Sequence, residues 1–311
     1  TFSLVLIQFL LRPLLGKWCA LICALPFALA VPMLTIHAYV WSEQWFVVFS
    51  VGMMLSLQIY LINCEETAAK KVSVFTSKLA MVSATCFAVA AFYTRYVGIA
   101  FFPVPLIAYF IRNHPASHRK TVTVSYLFYG VSVLALLIYN RHVSGDSSGT
   151  FRAFSTISIM VHVHNALSAF LAFFYSAERK LIALACALVA SFLLIALGRY
   201  RVNSSPNYLK KLPVDTLHAS KMTLILAFLM SGSYVVTLVL MRTIFQFDDI
   251  DIRLLSGVSP FLWVGTLSVW GCLGGRSKMQ YFRVFPAFVA SILVFNGYMS
   301  LLDARHSLGV R

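Results

Sequence analysis

The sequence predicts an all-α, polytopic bundle of transmembrane helices, and three observations carry that prediction. Of 311 residues, 60% are hydrophobic and only 11% are charged, proportions foreign to soluble domains. The apolar residues gather into runs, most of membrane length. The 25 Lys and Arg against 10 Asp and Glu, a net charge of +15, fall in short clusters between those runs, where cytoplasmic loops hold a polytopic protein in orientation. On a soluble chain such a balance would suggest nucleic acid; distributed this way, it points away from that partner.

In chain order the apolar runs cover residues 2–11, 18–36, 44–63, 79–93, 97–111, 121–140, 181–198, 222–241, 258–275 and 284–302. That is about nine full spans after a partial first one, in a single transmembrane domain over 1–311 with no separate soluble domain. Each run must be helical, because backbone exposed to lipid satisfies its hydrogen bonds internally and no run shows the alternation of a barrel strand. Runs 79–93 and 97–111 are short and separated by Thr94, Arg95 and Tyr96 alone, so they read as a hairpin. Residues 151–177 are apolar but carry Arg152, His162, His164 and Asn165, and charge counting assigns them to the interface. If they do not cross, most of the 25 basic residues share one side, including Lys70, Lys71, Arg119, Lys120, Lys210 and Lys211. The opposite, outer face then holds His37 to Glu43, the tip Thr94 to Tyr96, a loop Asn140 to Thr150, and Phe247 to Arg253. Most of the 10 acids lie on that face, which marks it as the place for a polar site.

Four motifs stand there. Trp41-Ser42-Glu43-Gln44-Trp45-Phe46 sets a carboxylate between two tryptophans; it reads either as an aromatic belt with an incidental acid or as a site carboxylate. Thr94-Arg95-Tyr96-Val97-Gly98 puts an arginine at a tight tip beside a glycine that lets two helices approach. That arginine either snorkels to headgroups or pairs bidentately with phosphate. Asn140 to Arg152 is a polar loop with two glycines, which as a bland reading is a linker. Phe247 to Pro260 offers Asp248, Asp249 and Asp251 followed by Arg253, which would pair internally, cap a helix or hold a divalent cation. His162 and His164 do not chelate one ion from a helix, since residues two apart point about 200° from each other. The six cysteines, with no CxxC spacing, read as small apolar fillers.

In their order along the chain these motifs resemble the bacterial multi-pass glycosyltransferases of the type C membrane superfamily, which includes the protein O-mannosyltransferases and lipid A aminoarabinose transferases. The matching residues are Ser42, Glu43 and Phe46; Thr94, Arg95, Tyr96 and Gly98; Asn140 and Gly145; and Asp249, Arg253 and Pro260. The resemblance covers roughly residues 1 to 275. It implies transfer of a sugar from a polyprenyl-phosphate carrier to a glycan, lipid or protein acceptor at the non-cytoplasmic face of a bacterial inner membrane, without a cofactor. Arg95, Tyr96, Arg253 and Asp249 would then contact the donor, the arginines at its phosphate, with Glu43 as a site carboxylate.

The sequence departs from that pattern at one position. The family's catalytic aspartate is expected in the first outer loop, and no Asp precedes Asp146. With an opening run too short to span and no initiator Met, the chain reads either as truncated at its N-terminus, with the aspartate encoded upstream, or as a degenerate or split relative; on both readings residues 1–311 are expected to transfer no sugar by themselves. A lipid or lipid-linked-sugar flippase, which would want charged or broken-helix features near the midplane, and a non-catalytic membrane subunit are the rival readings.

Overall fold

In a polytopic chain the helix ends decide which polar groups can meet, so the boundaries matter more than the count. The computed structural model describes residues 2–28, 41–68, 74–111, 116–146, 153–172, 214–246 and 252–274. Its helices are α1 (Phe2–Ala28), α2 (Trp41–Ala68), α3 (Val74–Thr94), α4 (Val104–Ile111), α5 (Ala116–Ser144), α6 (Ile159–Ala172), α7 (Val214–Ile244), α8 (Ile252–Leu255) and α9 (Ser259–Gly274). Two 3-10 turns, Tyr96–Phe101 and Ser256–Val258, join α3 to α4 and α8 to α9. Among the described residues there is no strand, only an isolated bridge between Phe154 and Phe245.

Among the described residues four helices are long and apolar enough to cross a membrane: Ser42–Asn63, Phe75–Thr94, His118–Ser144 and His218–Ile244. The runs expected at 181–198 and 284–302 lie outside the described residues. α2 is central, with 67% of its apolar window buried against 17% for α5. α2 packs along α3, and α9 along α7, with α1 laid across α2, α7 and α9. The outward side of α5 shows Val124, Leu127, Phe128, Val131, Leu134 and Ile138, each at least half exposed. A surface that apolar, continuous over several turns, is what lipid solvates and water does not.

Inside the bundle many hydroxyls and one amide find partners at close range, as a bilayer favours. The hydroxyls of Ser50, Ser56, Thr85, Thr223 and Ser268 donate to the carbonyl one turn back. The Gln58 side-chain amide donates to the Leu10 carbonyl (3.0 Å) and to Thr223 Oγ1 (2.6 Å), tying α1, α2 and α7 together.

Three sequence expectations are corrected. The break between residues 11 and 18 is absent: α1 continues through Arg12, Pro13 and Lys17. A proline removes one backbone hydrogen bond, and the rest of the helix tolerates that loss. Residues 97–111 are not one helix, because the 3-10 turn ends at Phe101 and α4 begins at Val104. Asn140 to Ser144 is not loop but the last turn of α5. The turn ends only at Gly145, whose φ of 78° suits glycine and whose amide donates to the Arg141 carbonyl (3.1 Å).

Candidate functional site

The first two motifs meet where the start of α2 lies beside the end of α3. Glu43 lies in the first turn of α2, where a negative charge suits the helix dipole. Arg95 is the first residue after α3, in extended backbone that ends the helix. Arg95 Nη1 donates to Glu43 Oε1 at 3.3 Å, with side-chain exposures of 21% and 9%. The contact is single and long for a charge-assisted pair, so it is not the bidentate fork that arginine makes with a carboxylate. Glu43 Oε2 is buried and has no hydrogen-bond partner among the described residues. The guanidinium therefore keeps a partly exposed edge of N–H donors directed away from Glu43.

The third motif joins at the next residue. Asn140 Nδ2, one turn before the end of α5, donates to the Tyr96 hydroxyl. Tyr129 Oη donates to the Gly98 carbonyl at 3.0 Å, and Tyr93 Oη to the Ser132 carbonyl at 3.0 Å. Gly98 is required here by close approach: a Cβ would stand 2.6 Å from the Phe92 nitrogen and 2.7 Å from the Ala91 carbonyl carbon. The return turn thus lies directly on the backbone of α3, and that fixes where Arg95 and Tyr96 emerge.

The fourth motif closes the cluster from below. Tyr234, wholly buried in α7, donates its hydroxyl to the Leu254 carbonyl at 2.7 Å. Gly257 packs so that a Cβ would be 3.0 Å from both the Phe46 ring and Tyr234 Oη. Phe46, Phe101, Tyr234 and Phe261 form one buried group, with neighbouring ring centroids 5.7 to 6.2 Å apart. Phe46 lies one turn along α2 from Glu43, so this aromatic floor lies beneath the ion pair.

Of the residues singled out in the sequence, Glu43, Arg95 and Tyr96 come together. Arg253 contributes its backbone to α8, beside Leu254, which Tyr234 holds. Asp249 lies outside the described residues. His162 and His164 diverge as expected: His162 is buried and His164 exposed. Among the described residues no group of three or more His, Cys, Asp or Glu is placed to hold a metal ion.

Sequence reasoning missed Tyr234, Arg242 and the burial of His162. Tyr234 sits inside an apolar run and carries no local signal. Arg242, in the last turn of α7, looks like a snorkelling cation, yet only 3% of it is exposed. Just beyond it the chain pairs with the segment before α6: the Ser155 amide donates to the Ile244 carbonyl and the Gln246 amide to the Ala153 carbonyl, with Phe154 and Phe245 stacked at 6.1 Å. α6 follows, turning His162, Ala166 and Ala169 inward and Met160, Val161 and Leu167 outward. Its 14 residues reach roughly 21 Å, short of the hydrocarbon thickness. No family model, curated protein or solved structure matches the chain.

Proposed function

We propose that the chain is a membrane glycosyltransferase-like protein of the type C kind: it binds a polyprenyl-phosphate sugar, and transfer of that sugar to an acceptor hydroxyl needs the first-outer-loop aspartate that residues 1–311 lack. Transfer would occur at the membrane face where Glu43 and Arg95 meet. The observation that supports this reading is the convergence of four motifs far apart in sequence: Glu43 with Arg95, Tyr96 with Asn140, and Gly257 against Phe46 and Tyr234. A bundle that needed only to pack would have no reason to gather them.

The chemistry divides between leaving group and acceptor. The acceptor oxygen bonds to the anomeric carbon as the bond from that carbon to the phosphate oxygen breaks, the carrier departs as an anionic phosphate, and the acceptor hydroxyl's proton passes to water or to that phosphate. A cation at that oxygen stabilises the developing charge, and the free edge of Arg95 is the group available for it. Arg253 is the second candidate clamp, with Asp249 as its neighbour in the motif and Tyr96 lining the donor. Glu43 anchors the guanidinium. On this reading the face is periplasmic, the basic clusters are cytoplasmic, and α6 lies in the interface with Met160, Val161 and Leu167 toward lipid.

Binding of a polyprenyl-phosphate sugar to the purified chain tests the proposal, with Arg95→Lys and Arg95→Ala as variants. Lysine keeps the charge without the planar fork, so both are expected to weaken binding, alanine by roughly tenfold or more. Unchanged affinity in folded Arg95→Ala protein would refute the phosphate role. Translocation of the lipid without sugar release would move the reading to a transporter.

A further inference from the structure

A second lipid-facing feature lies at the other end of the bundle and stands independently of the proposed activity. α3 and α5 run in the same direction and touch where Tyr93, near the end of α3, reaches Ser132 in the middle of α5. At their near ends they part, leaving a groove of about 520 Å³. Val82 and Cys86 line it from α3, and Val124 and Phe128 from α5; Lys78 and Lys120 stand at its mouth. No acidic side chain lines it.

The two lysines occupy equivalent places, each early in its helix, roughly 25 Å along α3 from Arg95 at 1.5 Å per residue. From them the apolar walls run about 12 Å toward Cys86 and Phe128. Val82, Val124 and Phe128 are 46%, 64% and 50% exposed, so the trough opens to the hydrocarbon. Two cations, each early in a helix of membrane length, beside an apolar trough match one amphiphile. We propose that this groove holds a phospholipid with an anionic headgroup: the phosphate lies between Lys78 and Lys120 and an acyl chain lies along Val82, Cys86, Val124 and Phe128. A zwitterionic lipid would fill the trough but leave the lysine pair without a net negative partner. A soluble phosphate would meet the lysines but leave the trough empty.

Native mass spectrometry of the full chain in detergent, titrated with phosphatidylglycerol or phosphatidylcholine, tests the site. One molecule of phosphatidylglycerol should be retained with a preference of roughly thirtyfold, as two lysines beside an anionic headgroup imply. The Lys78→Gln/Lys120→Gln variant should lose most of that preference. Arg119→Gln, exposed beside Lys120 but outside the groove, should keep it. Val124→Trp, which fills the trough and spares both lysines, should lower retention of both lipids.

Retention unchanged in the double variant, or lowered equally by Arg119→Gln, would overturn the site in favour of diffuse charge attraction. Competition by glycerol phosphate as effective as by the intact lipid would overturn the lipid assignment.

Discussion

The pair of Glu43 and Arg95 makes an asymmetric prediction about stability. At 3.3 Å and an effective dielectric of about 20, the Coulomb attraction is about 5 kcal/mol. Loss of hydration costs each ion several kcal/mol, so the intact pair contributes little net stability. Removing one partner is a different matter, because the two ends are not equally buried. Arg95→Gln leaves a carboxylate that is 9% exposed, whose Oε2 already lacks a partner among the described residues. Stranding such a charge costs about 3–5 kcal/mol. Glu43→Gln leaves a guanidinium that is 21% exposed and can turn its fork to water, for about 1–2 kcal/mol. The double variant should recover part of the loss, with a coupling of about 1–3 kcal/mol. Equilibrium unfolding in mixed micelles, followed by circular dichroism, gives all four corners of the cycle. A coupling below about 0.5 kcal/mol, or a Glu43→Gln loss equal to that of Arg95→Gln, would refute the account of the pair as a buried carboxylate held by a partly exposed cation.

Gly98→Ala should destabilise the fold by about 1–3 kcal/mol, because its Cβ would press on the backbone of Phe92 and Ala91, which cannot swing aside as a side chain can. It should also displace Tyr96 from Asn140, so that Asn140→Ala costs less in the Gly98→Ala background than alone; unchanged stability would remove the close approach from the argument. The proposed orientation expects a single cysteine at Ser144 to react with an impermeant maleimide on intact cells and one at Lys120 to be spared, and the reverse pattern would invert the bundle.

The helical class was legible in the sequence because a bilayer leaves backbone no other way to satisfy its hydrogen bonds, so apolar runs suffice to announce helices. The tip at Thr94 to Tyr96 was legible too, since two short runs cannot both cross without turning there. So was the need for a small residue at position 98. The ends of the helices were not. Whether Asn140 to Ser144 continues a helix depends on Tyr96 waiting to receive Asn140, and polarity alone reads the same residues as loop. Of the site, Glu43, Arg95 and Tyr96 were visible as polar residues at helix ends, but their partnership was not: Glu43 and Arg95 carry opposite charges in separate motifs, and local sequence does not say that the start of α2 meets the end of α3. Tyr234 and Arg242 were silent for the same reason. A residue in or next to an apolar run looks identical whether it faces lipid or the bundle, and only packing distinguishes the two. Tyr234 gains its role from the Leu254 carbonyl and from Gly257, twenty or more residues away. Sequence determined which segments enter the membrane, because that depends on each segment's own transfer from water; the tertiary structure decided which polar groups meet, because that depends on the neighbours.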